Sequence, residues 1–153
     1  MPNTKPVGVA YSDPELSGAT IDNSPIGATT PNTIVGTTVY SALEIGYSAG
    51  AQGAVTQATS KTTGVTLNKS AGQITLNGSA LGAGATAIFT LTNSLLSAKD
   101  VLIVNVGSGG TSGAYWPYVA NVGAGSAVIG VYNNTAGSLS EAIVLNYAIF
   151  HNE

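Results

Sequence analysis

The sequence predicts an all-β protein, in which an extended N-terminal arm (residues 1–50) precedes an eight-stranded, jelly-roll-like β-sandwich (residues 51–153). Three observations carry this prediction. Apolar and polar residues alternate in short runs, as they do in strands with one buried face. Clusters of Gly, Ser and Asn bound those runs and supply turns. Five of the six prolines fall within the arm, which is typical of extended chain rather than of a paired sheet.

Eight runs have strand character because they are rich in β-branched or aromatic residues. In chain order they are GAVTQAT (53–59), VTLN (65–68), QITLN (73–77), AIFTLTN (87–93), VLIVNV (101–106), AYWPYVAN (114–121), AVIGVYN (127–133) and AIVLNYAIF (142–150). In QITLN, Ile74 and Leu76 share one face, and Phe89 and Leu91 repeat this pattern. VLIVNV and AIVLNYAIF are apolar on both faces, so we expect them to be central strands or to be covered by another subunit.

Residues 81–105 align without gaps with residues 122–146, which suggests an internal repeat. Each unit reads as a tight glycine turn, a strand, a short crossover and a second strand. The alignment pairs Ile88 with Ile129. It also pairs Asp100 with Glu141, and each of these acids comes directly before an apolar strand. We expect Asn93 to cap a single helical turn over residues 94–99.

The arm is interrupted by prolines, yet it is too apolar for a free linker. We therefore expect it to be ordered by contacts with other copies or with a partner. The residues predicted to form this assembly interface are Ile21, Pro25, Ile26, Ile34, Val35, Val39, Tyr40, Leu43, Ile45 and Tyr47.

The composition excludes several classes of function. The chain has no cysteine, hence no disulfide and no thiolate metal site. Four lysines, no arginine and a net charge of −3 argue against nucleic acid as a partner. The longest strongly apolar run, residues 101–106, is too short to cross a bilayer, and the N-terminus does not resemble a signal peptide. Only 7% of residues are charged, against about 25% in typical domains, which favours assembly with other chains.

No residue set predicts catalysis or a bound cofactor. His151 lies near the C-terminal end of the sequence, where we expect it to lack the fixed geometry of a general base. Asp100 and Glu141 could form a glycosidase pair only if they faced each other, and a turn-capping role is the ordinary explanation for both. Calcium-loop and zinc-helix motifs do not occur. We therefore expect a protein that is not an enzyme and has no metal or cofactor.

The glycine-rich stretch GSGGTSG (107–113) precedes three aromatic residues. It lacks the Lys-Ser/Thr and the helix of a phosphate-binding loop, so we expect an exposed connection between strands. Alternation places Tyr115 and Pro117 on one face of the following strand, and Trp116 and Tyr118 on the other. Tyr115, Trp116 and Tyr118 are candidates for surface recognition, and packing in the core or at a subunit interface is the alternative.

Three stretches resemble structural proteins of tailed bacteriophages. They are GATIDNSPIGATTPNTIVGTTVYSALEIG (18–46), GAVTQATSKTTGVTLNKSAGQITLN (53–77) and AGSLSEAIVLNYAIF (136–150). The first is similar to an "IDNTPIG…TTP…F" element that introduces fibre or head-attachment segments. Val39 and Tyr40 lie in the stretch where this element usually has phenylalanine and threonine.

The resemblance implies a virion component, made in the host cytoplasm and located on the particle surface. Together with the low charge and the apolar arm, it predicts a capsid decoration or cement protein. Such a protein would form homotrimers and bind the major capsid protein, or another virion protein, through its arm. The alternative is a fibre tip that binds host surface glycans through Tyr115, Trp116 and Tyr118.

Overall fold

Two four-stranded sheets pack face to face in the computed structural model, which describes Thr38 and residues 40–152. The strands are β1 (Gln52–Thr56), β2 (Val65–Thr66), β3 (Ala71–Thr75), β4 (Thr86–Thr92), β5 (Val101–Ser108), β6 (Tyr115–Gly123), β7 (Ser126–Asn133) and β8 (Val144–Phe150). Sheet 1 has the strand order β1-β3-β8-β5, and sheet 2 has the order β2-β4-β7-β6. Each strand overlaps one predicted run, and the predicted all-β sandwich is confirmed.

Each sheet has one parallel pair at an edge, β1 with β3 and β2 with β4, and the other pairs are antiparallel. The core lies between the sheets and follows the predicted alternation. Ile74 and Leu76 are buried together, as are Phe89 and Leu91. Interiors of this kind are close-packed, so truncating one such aliphatic side chain to alanine costs about 2–5 kcal/mol of stability.

Strand β5 lies at an edge of sheet 1 and not in its centre. Of the two runs that are apolar on both faces, only the second forms a central strand, because β8 pairs with β3 on one side and with β5 on the other. Within the part of the chain that the structure describes, β8 is the only strand paired with β5. The outward side chains of Val101 and Ile103 are half exposed. The expected central position is therefore wrong for β5, and its coverage by another subunit stays a prediction.

Two strand–crossover–strand units occupy equivalent positions in the sandwich. The first unit is β4, a crossover over residues 93–100 and β5, and the second is β7, a crossover over residues 134–143 and β8. Strand β4 pairs antiparallel with β7, and β5 pairs antiparallel with β8, so an approximate two-fold rotation relates the units. Each unit is preceded by a glycine with positive φ, Gly84 at 64° and Gly125 at 78°.

A single sequence offset does not describe these units. The gapless alignment pairs Ile88 with Ile129, but Ile88 is half exposed and Ile129 is fully buried. The inward residues of β4 and β7 match at an offset one residue shorter, which pairs Phe89 with Ile129. Asp100 and Glu141 keep the original offset. Because each residue along a strand changes face, a shift of one residue moves a side chain from the core to solvent. A gene duplication as the origin of the units stays a prediction.

The first crossover contains turns instead of the expected helix over residues 94–99. Oδ1 of Asn93 accepts a hydrogen bond from the backbone N–H of Leu95 at 3.0 Å, which makes an Asx turn. Asn93 therefore caps the chain as expected, but what it caps is a turn.

Residues from Leu43 onward form one compact unit. A 3₁₀ turn at Ala49–Ala51 leads into β1. Of the arm residues predicted to form an interface, Tyr40, Leu43, Ile45 and Tyr47 are described. The others lie outside the described residues: Ile21, Pro25, Ile26, Ile34, Val35 and Val39. Among the described residues, no helix has the length and apolar character needed to cross a membrane.

Candidate binding surfaces

The C-terminal end of the arm packs against the outer face of sheet 1. The hydroxyl of Tyr47 donates a hydrogen bond to the backbone carbonyl of Ile149 in β8. A groove of about 420 Å³ lies beside this contact and is lined by Ile45, Gly46, Tyr47, Ala148 and Phe150. The lining of this groove is mostly apolar, and Ile45 is 78% exposed.

Strand β5 extends this surface. Val101 pairs with Phe150, and Ile103 pairs with Ala148, so their outward side chains lie next to the groove. Phe150 is 57% exposed and the two β5 residues are half exposed. Contiguous exposed apolar area of this kind marks interaction sites on soluble proteins. We call this surface the arm-side patch, which consists of Ile45, Tyr47, Val101, Ile103, Ala148 and Phe150.

A second surface lies on the outer face of sheet 2, where the aromatic residues of β6 divide as alternation predicts. Tyr115 is 5% exposed and belongs to the core, whereas Trp116 is 56% and Tyr118 42% exposed. The prediction of a surface role is therefore wrong for Tyr115, whose side chain points between the sheets. Trp116 and Tyr118 are available at the surface.

Two residues of β7 complete this surface, and the sequence reasoning missed both. Tyr132 pairs with Trp116 in register, and their ring centroids are 6.3 Å apart with planes tilted by 54°. Gly130 pairs with Tyr118, and a Cβ atom at Gly130 would overlap the ring of Tyr118. The ring therefore lies directly over the glycine backbone. We call Trp116, Tyr118, Gly130 and Tyr132 the aromatic platform.

A β-bulge sets this register. The pairing of β6 with β7 shifts by one residue between Val119 and Asn121. Without the shift, the hairpin turn would place Trp116 opposite Asn133, a residue that is fully buried. The turn between β6 and β7 could in principle have identified Tyr132 as the partner of Trp116. Counting residues outward from this turn along both strands gives Asn133 instead, unless the bulge is known.

The glycine-rich loop is exposed, as expected, and contains three glycines with positive φ, namely Gly109, Gly110 and Gly113. The carboxylate of Glu141 fixes the loop, since it accepts hydrogen bonds from the backbone N–H and the hydroxyl of Thr111, both at 3.0 Å. The N–H of Thr111 is the main reason that the pKa of Glu141 is lowered.

The hydroxyl of Tyr115 is buried near the glycine-rich loop. It has no hydrogen-bond partner of good geometry among the described residues, although the Glu141 carboxylate lies close enough to act on it electrostatically. Burial, with the nearby carboxylate, raises the pKa of Tyr115 to about 12. The Tyr115 hydroxyl is therefore neutral and serves to pack the loop against the core.

Asp100 caps the first crossover and also holds the chain after β8. Its carboxylate accepts hydrogen bonds from the Ser97 N–H at 2.9 Å and the Asn152 N–H at 3.1 Å, and it lies 2.9 Å from Nδ1 of His151. The Ser97 N–H is the main reason that the pKa of Asp100 is held far below its usual range. Contrary to expectation, His151 therefore has a fixed partner.

Asp100 and Glu141 lie at opposite ends of the β5–β8 pair, since Asp100 directly precedes Val101 and Glu141 comes three residues before Val144. At about 3.3 Å per residue, the length of β5 separates them by roughly 20 Å. Glycosidase carboxylates lie about 5–10 Å apart, so these two acids do not form such a pair. Both make the turn-capping contacts that the sequence suggested.

A buried lysine closes the same end of the sandwich as Glu141, and the sequence reasoning missed it. Lys61 is 2% exposed, and its Nζ donates hydrogen bonds to the backbone carbonyls of Asn77 (2.6 Å), Ser79 (2.8 Å) and Glu141 (2.7 Å). Burial lowers the pKa of Lys61, and the charge of Glu141 opposes that shift. The ammonium group thereby ties the β3–β4 loop and the β7–β8 crossover to the loop that carries Lys61.

Within residues 40–152, no group of three or more His, Cys, Asp or Glu side chains is arranged to hold a metal ion. Comparison with known proteins adds no family, since no protein-family model, no curated protein and no solved structure matches the chain. The resemblance to phage structural proteins therefore depends on the sequence stretches alone.

Proposed function

We propose that this protein is a non-enzymatic structural component of a bacteriophage virion, of the capsid decoration or cement type. It forms homotrimers on the particle surface, and its arm binds and stabilises the capsid lattice. One observation carries the proposal: the end of the arm and the outward side chains of sheet 1 form one continuous apolar surface, the arm-side patch.

The amount of exposed apolar side chain supports assembly. Tyr40 and Leu43 are almost fully exposed in the single chain, and Ile45, Phe150 and Val101 are more than half exposed. Strands β5 and β8 contain no charged residue that would keep this surface in water. Stable assemblies of permanent subunits bury on the order of 2,000 Å² or more, with an interface that resembles a domain core.

The edge position of β5 supports the same proposal. Natural proteins usually protect long edge strands with charged residues, with proline or with a covering segment. Strand β5 has eight residues and neither charge nor proline. A β-bulge interrupts the strand only near its end, between Val106 and Ser108, so the unprotected part of the edge lies beside Val101 and Ile103 and suits a neighbouring copy or a capsid protein.

The test introduces a charge into the arm-side patch of the full-length protein. We expect Phe150→Lys and Ile103→Lys to lower the mass in light scattering from trimer to monomer. We also expect both variants to abolish co-sedimentation with phage capsids assembled without this protein. The matched control is Thr56→Lys, an exposed position on the outer face of the same sheet, which should trimerise and bind normally.

Deletion of residues 1–42, which leaves the compact unit from Leu43 onward, should preserve the cooperative unfolding transition and abolish capsid binding. If the patch variants and the deletion all bind capsids as well as the unmodified protein, the proposal is wrong.

A further inference from the structure

The outer face of sheet 2 presents aromatic rings in an arrangement that core packing does not require. Trp116 and Tyr118 each expose about half of their surface, on the side of β6 that faces away from the core. The neighbouring strand contributes Tyr132 next to Trp116. Large aromatic rings contribute most to binding when they are rigid and their faces are accessible.

Gly130 determines how Tyr118 presents its ring. The residue is buried beneath the ring, and any side chain there would overlap it. One face of the ring therefore rests on the backbone of β7, and the opposite face is turned to solvent. Ile88 pairs with Gly130 from the other side and is half exposed, so it extends the platform towards β4.

The chemistry around the platform is neutral and rich in hydroxyl groups. Strands β4, β6 and β7 contain no charged residue. Thr86 pairs with Tyr132, and Thr90 lies four residues further along β4 on the same exposed face. The exposed Asn121 offers an amide on β6.

These features select among the ligands that stack on aromatic rings. Nucleobases stack well, but nucleic-acid binding needs cations for the phosphates. Of the described lysines, Lys61 is buried at the end of the sandwich, and Lys69 and Lys99 lie in loops outside the three strands of the platform. A sugar ring satisfies the same geometry without charge, because its polarised C–H bonds face the negative π surface while its hydroxyls reach polar neighbours.

We propose that the aromatic platform, made of Trp116, Tyr118 and Tyr132 over Gly130, is a binding site for a neutral saccharide of a surface glycan. The saccharide stacks on Tyr118 and Trp116, and the polar side chains of Thr86, Thr90 and Asn121 border the platform on two sides, where they face the hydroxyls of successive sugar rings. This site lies on the sheet opposite the arm-side patch. It therefore goes beyond the proposed assembly function, and each proposal can fail without the other.

The chain contains one tryptophan, so its fluorescence reports directly on this site. Full-length protein is titrated with neutral oligosaccharides of glucose, galactose, mannose and N-acetylglucosamine. We expect at least one of them to shift the emission of Trp116 to shorter wavelength and to reduce acrylamide quenching at least twofold. Calorimetry on that oligosaccharide then provides the Kd.

Variants separate stacking from folding. We expect Trp116→Ala and Tyr118→Ala each to weaken binding at least tenfold, while Tyr118→Phe, which keeps the ring, stays within about threefold. Gly130→Ala displaces the Tyr118 ring without removing any aromatic residue and should also weaken binding. The matched control is Thr56→Ala, an exposed position on the outer face of sheet 1 that belongs to neither surface. Thermal unfolding identifies any variant whose loss of binding reflects loss of the fold.

Two results would overturn the proposal. The first is that none of the saccharides in the panel changes the fluorescence, whereas capsids or other copies of the chain shield Trp116, since the platform would then be a protein interface. The second is saccharide binding that Trp116→Ala and Tyr118→Ala, both folded, leave unchanged.

Discussion

The two strand–crossover–strand units share one plan but are held together differently. In both, a fully buried asparagine follows or ends the first strand, namely Asn93 after β4 and Asn133 at the end of β7. Each asparagine contacts the glycine turn of the other unit. The N–H of Asn93 donates to the carbonyl of Gly125 at 2.9 Å, and the N–H of Gly84 donates to the carbonyl of Asn133 at 3.1 Å.

The acids before the second strands repeat this exchange. Asp100, before β5, binds the chain after β8, and Glu141, before β8, binds the loop after β5. The units differ in what supports the second crossover. The backbone carbonyl of Glu141 accepts from the buried Lys61 ammonium, whereas in the first crossover the carboxylate of Asp100 pairs with the half-exposed imidazole of His151. The two crossovers therefore have equivalent positions but different supports. Local capping holds the first crossover, and the buried charge of Lys61, distant in sequence, holds the second.

Removal of the ammonium tests this difference most strongly. Lys61→Met leaves three partly buried carbonyls without their donor, and each unsatisfied buried group costs about 1–3 kcal/mol. We expect the free energy of unfolding in urea to fall by about 4 kcal/mol. The exposed Lys99, in the first crossover, is the control, and Lys99→Met should change stability by less than about 0.5 kcal/mol. Equal effects of the two substitutions would remove the distinction between the units.

The buried asparagines offer a direct comparison between the units. Nδ2 of Asn133 lies within hydrogen-bonding distance of the carbonyls of Leu81, Gly82 and Gly137, whereas Nδ2 of Asn93 donates to the carbonyl of Lys69. We expect Asn133→Ala to cost about 3 kcal/mol and Asn93→Ala about 2 kcal/mol, because more backbone groups lose a partner in the first case. Urea unfolding of both variants measures this order, and the reverse order would contradict the comparison.

The two acids predict a smaller, pH-dependent effect. Both have a pKa below the ordinary values of 3.8 for Asp and 4.5 for Glu. A lowered folded-state pKa means that the stabilisation is fully present above those values and is lost as the pH falls through the folded-state pKa. We expect the unfolding free energy to decline below about pH 4.5. Asp100→Asn and Glu141→Gln should be less stable than the unmodified protein at pH 6, and the difference should shrink steadily as the pH falls below about 4. Parallel curves across this range would show that these acids carry no such linkage.

The alternation of apolar and polar residues was sufficient to predict the strands and the face on which most of their side chains lie. The alternation around Phe89 and Leu91 was confirmed, and so was the division of Trp116 and Tyr118 from Tyr115. These features depend on the period of two in a strand and on nearby turns, which short windows of sequence contain.

Short-range alternation could not predict which strands pair with each other. VLIVNV and AIVLNYAIF look alike, yet β8 is central and β5 is an edge, because strand order depends on which distant segments meet. The bulge in β6 changes the partner of Trp116 to Tyr132, and no short window shows it. The fixed position of His151 likewise depends on Asp100, which is 51 residues away in the chain.

The sequence by itself determined the fold class, the strand segments, the low charge and the apolar arm, because each follows from composition or short-range periodicity. The tertiary structure alone decided the two candidate surfaces and the buried ammonium. Tyr47 reaches Ile149 across 102 residues, Tyr118 rests on Gly130 through a shifted register, and Lys61 finds its carbonyl acceptors in loops up to 80 residues away. Such contacts arise only when distant strands pack together, since their free energy belongs to the assembled sandwich and not to any one segment.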